Sequence, residues 1–196
     1  MKNILELDIE KQRFPVFPLP VFMLPGGKAR LRVFEAKYLK MLSLVSSHQH
    51  FIIQSINTWS KENESWGSLV KIQDFNQGDD GILEIDVECS SLVNLYSPTN
   101  DNNDLTFAWT KPFHHWSQSK VDGSLPTSVL STALNDAIAS SPILKNLYQH
   151  KALENNYWVI ARWLELLPLK NSLKVFFIKE SSFDSAKSFV KSIVCN

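Results

Sequence analysis

The amino-acid sequence predicts an α+β fold, with a β-rich first half followed by a helical second half. Three observations carry this. Apolar residues alternate with polar ones in short stretches up to Lys111, the period of half-buried strands. Beyond the segment Ser117–Ser124 the apolar residues recur every three or four positions, the period of helices. Helix boundary signals, Ser141-Pro142 at a start and Pro168 at a stop, punctuate that second half. The chain has 196 residues, of which 44% are hydrophobic and 20% charged, enough for a genuine core.

Residues 1–12 read as a polar lead-in. From Phe14 two short apolar runs carry Pro15, Pro18 and Pro20, which suit an edge strand or a strand entering a barrel mouth. Pro25-Gly26-Gly27 forces a turn. Arg30–Phe34 alternates as a strand, with Leu31 and Val33 on one face and Arg30 and Arg32 on the other. A helix is expected from Glu35 to Ser46, presenting Tyr38, Leu42 and Val45, with Glu35 suited to the positive end of its dipole. Phe34, Glu35 and Tyr38 are read as a structural joint in which both rings pack where strand meets helix.

Phe51–Ile56 and Trp66–Phe75 read as strands, separated by a polar loop over Thr58–Ser65. Gln77-Gly78-Asp79-Asp80-Gly81 is a hairpin turn, with Gly81 supplying a positive φ. In Ile82–Cys89, Leu83, Ile85, Val87 and Cys89 point inward, and Glu84, Asp86 and Glu88 outward. Ser97–Asp104 is expected to be a flexible loop, Leu105–Lys111 a strand, and 117–124 a linker. The helical stripes that follow are Leu125/Val129/Leu130/Leu134, then Ile143/Leu144/Leu147/Tyr148, then Ile160/Trp163/Leu164/Leu167. Leu173/Phe176/Phe177 forms a fourth, and Asp184 is expected to cap a last helix carrying Phe189, Val190 and Ile193.

Several of these pieces, in this order, resemble the N-terminal substrate-recognition domain of Lon proteases. Arg32-Val33-Phe34-Glu35-Ala36-Lys37-Tyr38 fills that family's R-[IV]-F-E-x-[RK]-Y element, after a proline-rich strand and a Pro25-Gly26 turn. Trp66-Gly67-Ser68-Leu69-Val70-Lys71-Ile72 stands where the family has a glycine-bearing strand. Asp80-Gly81 with the 82–89 strand resembles its Asp-Gly hairpin, and Trp163–Leu169 its L-x-x-x-L-P-[LI] helix end. The usual arginine before the tyrosine is Lys37 here, which cannot make the same bidentate contact. The resemblance implies a PUA-like pseudo-barrel over residues 1–116 and a helical subdomain over 117–196. It also implies that Pro25, Gly26, Arg32, Phe34, Glu35, Tyr38, Gly67 and Gly81 are structural signature residues. The implied role is non-catalytic: recognition of unfolded or apolar peptide segments in protein quality control, with a protease or chaperone as a possible partner.

Composition narrows the classes further. Twenty Lys and Arg balance twenty Asp and Glu, which disfavours nucleic acid as the partner, since phosphate neutralisation needs a basic surplus. RNA binding nevertheless stays as the alternative function, because PUA-like barrels host it. No apolar run approaches a membrane span, and the first residues, with Glu6, Asp8 and Glu10, lack a signal peptide's apolar core, so a cytoplasmic protein is expected. Cys89 is read as a small buried hydrophobe, with no disulfide to Cys195. The sequon Asn63-Glu64-Ser65 carries no meaning without secretion.

The chemical constellations are weak. Ser68-x-x-Lys71 has the spacing of a serine–lysine catalytic pair but lies in a strand, where positions three apart face opposite ways. His48, His50, His114 and His115 read as solvated loop residues, not metal ligands. Asp101–Asp104 lacks the pattern of a calcium loop. Glu84, Asp86 and Glu88 read as a solvated strand face, and so do Lys28, Arg30 and Arg32, for which contact with an anionic partner is the alternative. No G-x-x-x-x-G-K-[ST] occurs. No catalytic residue, cofactor or metal is therefore expected. Trp59, Trp109 and Trp116 fit no periodic stripe, and are candidates for an exposed peptide-binding patch.

Overall fold

A computed structural model of the chain describes residues 12–45, 50–56, 65–116 and 128–195. Residues 1–11 of the polar lead-in, most of the Thr58–Ser65 loop, the 117–124 linker, Leu125, Trp59 and His48 lie outside the described residues. The chain divides into two units, Met1–Phe113 and His114–Asn196.

The first unit is a barrel with one added strand. Its strands are β1 (Arg13–Leu19), β2 (Lys28–Val33), β3 (His50–Ser55), β4 (Trp66–Gln77), β5 (Leu83–Asn100) and β6 (Thr106–Pro112). They order as β2-β5-β4-β3-β1-β6, and a further β5–β6 pairing closes five of them into a ring with β2 outside it. Among the described strands only β1 and β3 pair in parallel. Each ring strand sends a side chain into a shared core: Phe14 and Val16, Ile52, Leu69, Val93 and Ala108. Gly67 permits the tight contact of β4 with β3, because a Cβ there would lie 2.5 Å from Ile52 Cγ2 and 2.9 Å from the Ile53 carbonyl oxygen. The helix α1 (Ala36–Val45) covers the ring from outside, burying Tyr38, Met41, Leu42 and Val45. Tyr38 stacks on Phe17 with ring centres 3.9 Å apart.

Two expectations about this unit change. The prolines do not mark an open edge. Arg13–Pro15 pairs with β6, and Val16–Leu19 pairs with β3, so β1 hands over from one neighbour to the other midway. Neither Pro15 nor Pro18 has to serve two ladders, which makes a missing N–H tolerable inside a closed sheet. Nor is Ser97–Asp104 a flexible loop. β5 continues to Asn100 across a register shift between Tyr96 and Thr99, with Ser97 at φ 49°. The tip that follows is tied by the Asp101 carboxylate, which accepts the N–H groups of Asn103 and Leu105 at 2.8 and 2.9 Å. Short polar side chains folding back on their own backbone build such tips.

The second unit holds five helices among its described residues: α2 (Ser128–Ser140), α3 (Pro142–Leu147), α4 (Asn156–Leu166), α5 (Asn171–Phe176) and α6 (Phe183–Val194). Ser141 caps α3 as expected, its Oγ accepting from Leu144 N–H, with Pro142 opening the helix. Asn155 caps α4 through its side chain. The cap position of α6 belongs to Ser182, and Asp184 sits inside the first turn. Leu130, Leu134, Ile138, Leu147, Ile160, Leu164, Phe177 and Val190 are buried. Val129, Ile143, Leu173, Phe176 and Ile193 are exposed instead, because a stripe on a short helix has room to bury only its central row. No described helix is long and apolar enough to cross a membrane.

Candidate functional site

The chain from Leu24 to Tyr38 shows where the signature residues go. Leu24-Pro25-Gly26-Gly27 is a tight turn, closed by Gly27 N–H donating to the Leu24 carbonyl at 2.8 Å. Gly26 has φ 77°, which type II turns need at their third position and glycine adopts without strain. The turn is hooked onto β5 by Gly26 N–H to the Cys89 carbonyl and Cys89 N–H to the Gly27 carbonyl, both 2.8 Å. Gly81 at φ 81° ends the β4–β5 hairpin, with Gly78 N–H bonded to the Ile82 carbonyl.

Beyond the turn, β2 leads into α1. Glu35 precedes the first helical residue and accepts the N–H groups of Tyr38 and Leu39 through its backbone carbonyl, 3.0 Å each. Its carboxylate is not placed in the helix's first turn. Tyr38 is buried against Phe17, and burial raises its pKa above the ordinary phenol value. Phe34 is not part of this joint. Its side chain is 69% exposed, which corrects the expectation that it packs with Tyr38. The reason is parity: Leu31 and Val33 point inward, so the next residue points out.

Arg32 belongs to a different constellation, one that the register creates. β2 and β5 are antiparallel, with Lys28 opposite Glu88, Arg30 opposite Asp86 and Arg32 opposite Glu84. The two separate charged stripes of the sequence thus form one ladder. Arg30 holds Asp86 with two bonds of 2.7 and 2.8 Å and lies 3.6 Å from Glu84. Lys28 is 3.6 Å from Glu88. Arg32 bonds Asp80 and lies 3.9 Å from Glu84. The hydrogen bond to Asp86 holds the Arg30 pKa above the ordinary guanidinium value. The Asp80 carboxyl is held below its ordinary range, chiefly by the Ile82 N–H and then by Arg32. The signal in the sequence is the matched alternation of three bases and three acids, but nothing local says that the two strands are neighbours.

Apolar side chains are exposed elsewhere on this unit: Phe75, Leu44, Leu39 and Trp109 as well as Phe34. A cavity of about 440 Å³ opens between the end of α1 and the starts of β1 and β6, lined by Phe14, Pro15, Leu44, Val45 and Phe107, with Gln12, Arg13 and His50. The Arg13 guanidinium lies over the Phe107 ring and bonds Thr99. Such a space can take an apolar side chain with a polar group near its mouth.

The remaining candidates are structural. Ser68 is buried and donates to the Met23 carbonyl at 2.7 Å, while Lys71 is exposed, so the two do not meet. Cys89 is buried and forms no disulfide with Cys195. Among the described residues no group of His, Cys, Asp and Glu could hold a metal ion. Within the helical unit, Trp116 is core: its Nε1–H donates to the Phe177 carbonyl at 2.8 Å. His115 is not a solvated loop residue. It stacks on Trp116, its Nδ1 lies 2.8 Å from the Ile178 carbonyl, and burial pushes its pKa down to about 4. The helical unit also holds a cluster that no sequence motif announces: buried Arg162 binds Glu165 at 2.7 Å, and Lys174 Nζ donates to the Glu165 carbonyl at 3.0 Å.

No protein-family model and no curated protein sequence matches the chain. Solved structures do match. One is a Lon N-terminal domain protein from Xanthomonas campestris, with a TM-score of 0.67 and 23% identity over 92% of this chain and 98% of that one. Another is the N-terminal domain of the Mycobacterium avium complex Lon protease, with a TM-score of 0.65 and 10% identity over 94% and 99%. Over nearly its whole length, therefore, the chain has the fold of a Lon N-terminal domain.

Proposed function

We propose that this protein is a non-catalytic recognition module of the Lon N-terminal-domain type that binds unfolded or apolar peptide segments. The observation that carries the reading is the fold likeness, which spans nearly all of both chains. The cavity beside Leu44 and Phe107, which mixes apolar and polar lining, supports it, because peptide segments are recognised through side-chain pockets and exposed strand edges. The alternative, RNA binding, is disfavoured by the zero net charge of the chain, which leaves no basic surplus to neutralise a phosphate backbone.

Fluorescence anisotropy with labelled fragments of unfolded casein, beside a labelled single-stranded RNA, tests the reading. Casein fragments are expected to bind and to stay bound in high salt, and Leu44→Asp is expected to weaken them about tenfold. Tight RNA binding that falls steeply with salt would overturn the proposal in favour of the alternative. The same preparation is expected to hydrolyse neither ATP nor peptide.

A further inference from the structure

We infer that the outer edge of β2 accepts an extended peptide strand, antiparallel, carrying acidic side chains at alternate positions with apolar residues between them. The inference rests on the peptide-recognition reading and names a surface and a ligand chemistry for it.

Among the described residues β2 pairs with β5 alone. The phase of that ladder follows from the bond of Cys89 N–H to the Gly27 carbonyl. Bonded pairs alternate along antiparallel strands. With Gly27 facing Cys89, the bonded pairs are Ala29 with Val87, Leu31 with Ile85 and Val33 with Leu83. The backbone N–H and C=O groups of Arg30 and Arg32 therefore point away from β5, toward the edge. These are the groups that an added strand would use.

Charge selects the strand. Any residue directly opposite Arg30 or Arg32 on an added strand shares the face on which the ladder lies. Acids on β5 and bases on β2 make an acid the favourable next member of each row. The β5 carboxylates lie two strand spacings away, about 10 Å, which is near the screening length at physiological salt. The nearest charges to the incoming strand are thus the β2 cations, and Arg32 is half exposed. A second copy of this chain adding β2 to β2 would set these bases against one another, so the edge is guarded against self-pairing. The intervening residues of the peptide would lie beside Ala29, Leu31 and Val33, and the exposed Phe34 ring stands at the end of the same edge.

Anisotropy titrations of the full chain test this with labelled peptides of alternating Glu and Val. They are expected to bind about tenfold tighter than the same composition in separate Glu and Val blocks, and than alternating Lys and Val. N-methylation distinguishes strand addition from simple charge attraction. Methylating the Glu nitrogens, which face Arg30 and Arg32, is expected to abolish binding, and methylating the Val nitrogens to spare it. Arg32→Glu is expected to reverse the preference toward the Lys peptide. Equal binding of block and alternating peptides, or of the two methylated forms, overturns the inference. If casein fragments still bind in that case, peptide recognition stands and only the β2 edge is excluded.

Discussion

In the β unit, Arg30 grips Asp86 through two short bonds and keeps 22% of its side chain in water. In the helical unit, Arg162 binds Glu165 with only 1% of its side chain exposed. The first pair joins residues 56 apart in sequence, set face to face by strand register. The second joins residues three apart on one helix turn, and Lys174 from α5 closes on the same glutamate's backbone. Burial lowers the Lys174 pKa. The difference is one of environment. A wet ladder can lose a member at little cost and is free to meet a partner. A charge held out of water makes every neighbour obligatory.

The widest test of this contrast is Glu165→Ala. It takes the carboxylate from a buried guanidinium and is expected to cost ~3–5 kcal/mol in urea unfolding. Replacing both Arg162 and Glu165 with apolar residues of similar volume is expected to recover much of that loss, since the desolvation penalty goes with the pair. A Glu165→Ala protein as stable as the parent would show that the cluster behaves like the surface ladder.

The pH response probes the helical unit in a second way. His115 titrates at about 4 in the folded chain, against about 6.5 when unfolded. Because burial disfavours its charged form, the unfolded state binds the proton first as pH falls. Stability is therefore complete above about pH 6.5 and declines between 6.5 and 4, by up to ~3 kcal/mol. His115→Gln is expected to flatten that window in melts taken at successive pH values. An unchanged slope would assign the acid sensitivity to other groups.

The smallest effects are expected on the β surface. Arg30→Ala is expected to cost about 1 kcal/mol, an amount that salt reduces. Phe34→Ala is expected to change stability by no more than about 0.5 kcal/mol, because the ring is already in water. A loss of several kcal/mol at Phe34 would restore the reading in which it packs beside Tyr38. A loss of peptide binding with an unchanged melting temperature would place it in the recognition surface.

What is local is legible in the residues themselves. The Pro25-Gly26 turn, the positive φ at Gly81, the Ser141-Pro142 helix start and the alternation from Leu83 to Cys89 all depend on contiguous residues and backbone sterics. The change of period from two to about 3.6 separates strands from helices for the same reason. Phe34 carries two conflicting local signals: its hydrophobicity argues for burial, while its parity with Arg30 and Arg32 argues for exposure, and parity prevails. Other features have no local trace. The division of β1 between β3 and β6, the continuation of β5 to Asn100 and the meeting of Arg30 with Asp86 arise when a sheet closes into a ring. Closure chooses which distant strands become neighbours, and side-chain periodicity is identical whichever neighbour is chosen. The burial of Arg162 and His115 follows from how helices and aromatic rings pack around them, and tertiary packing alone decides whether such a group keeps its water.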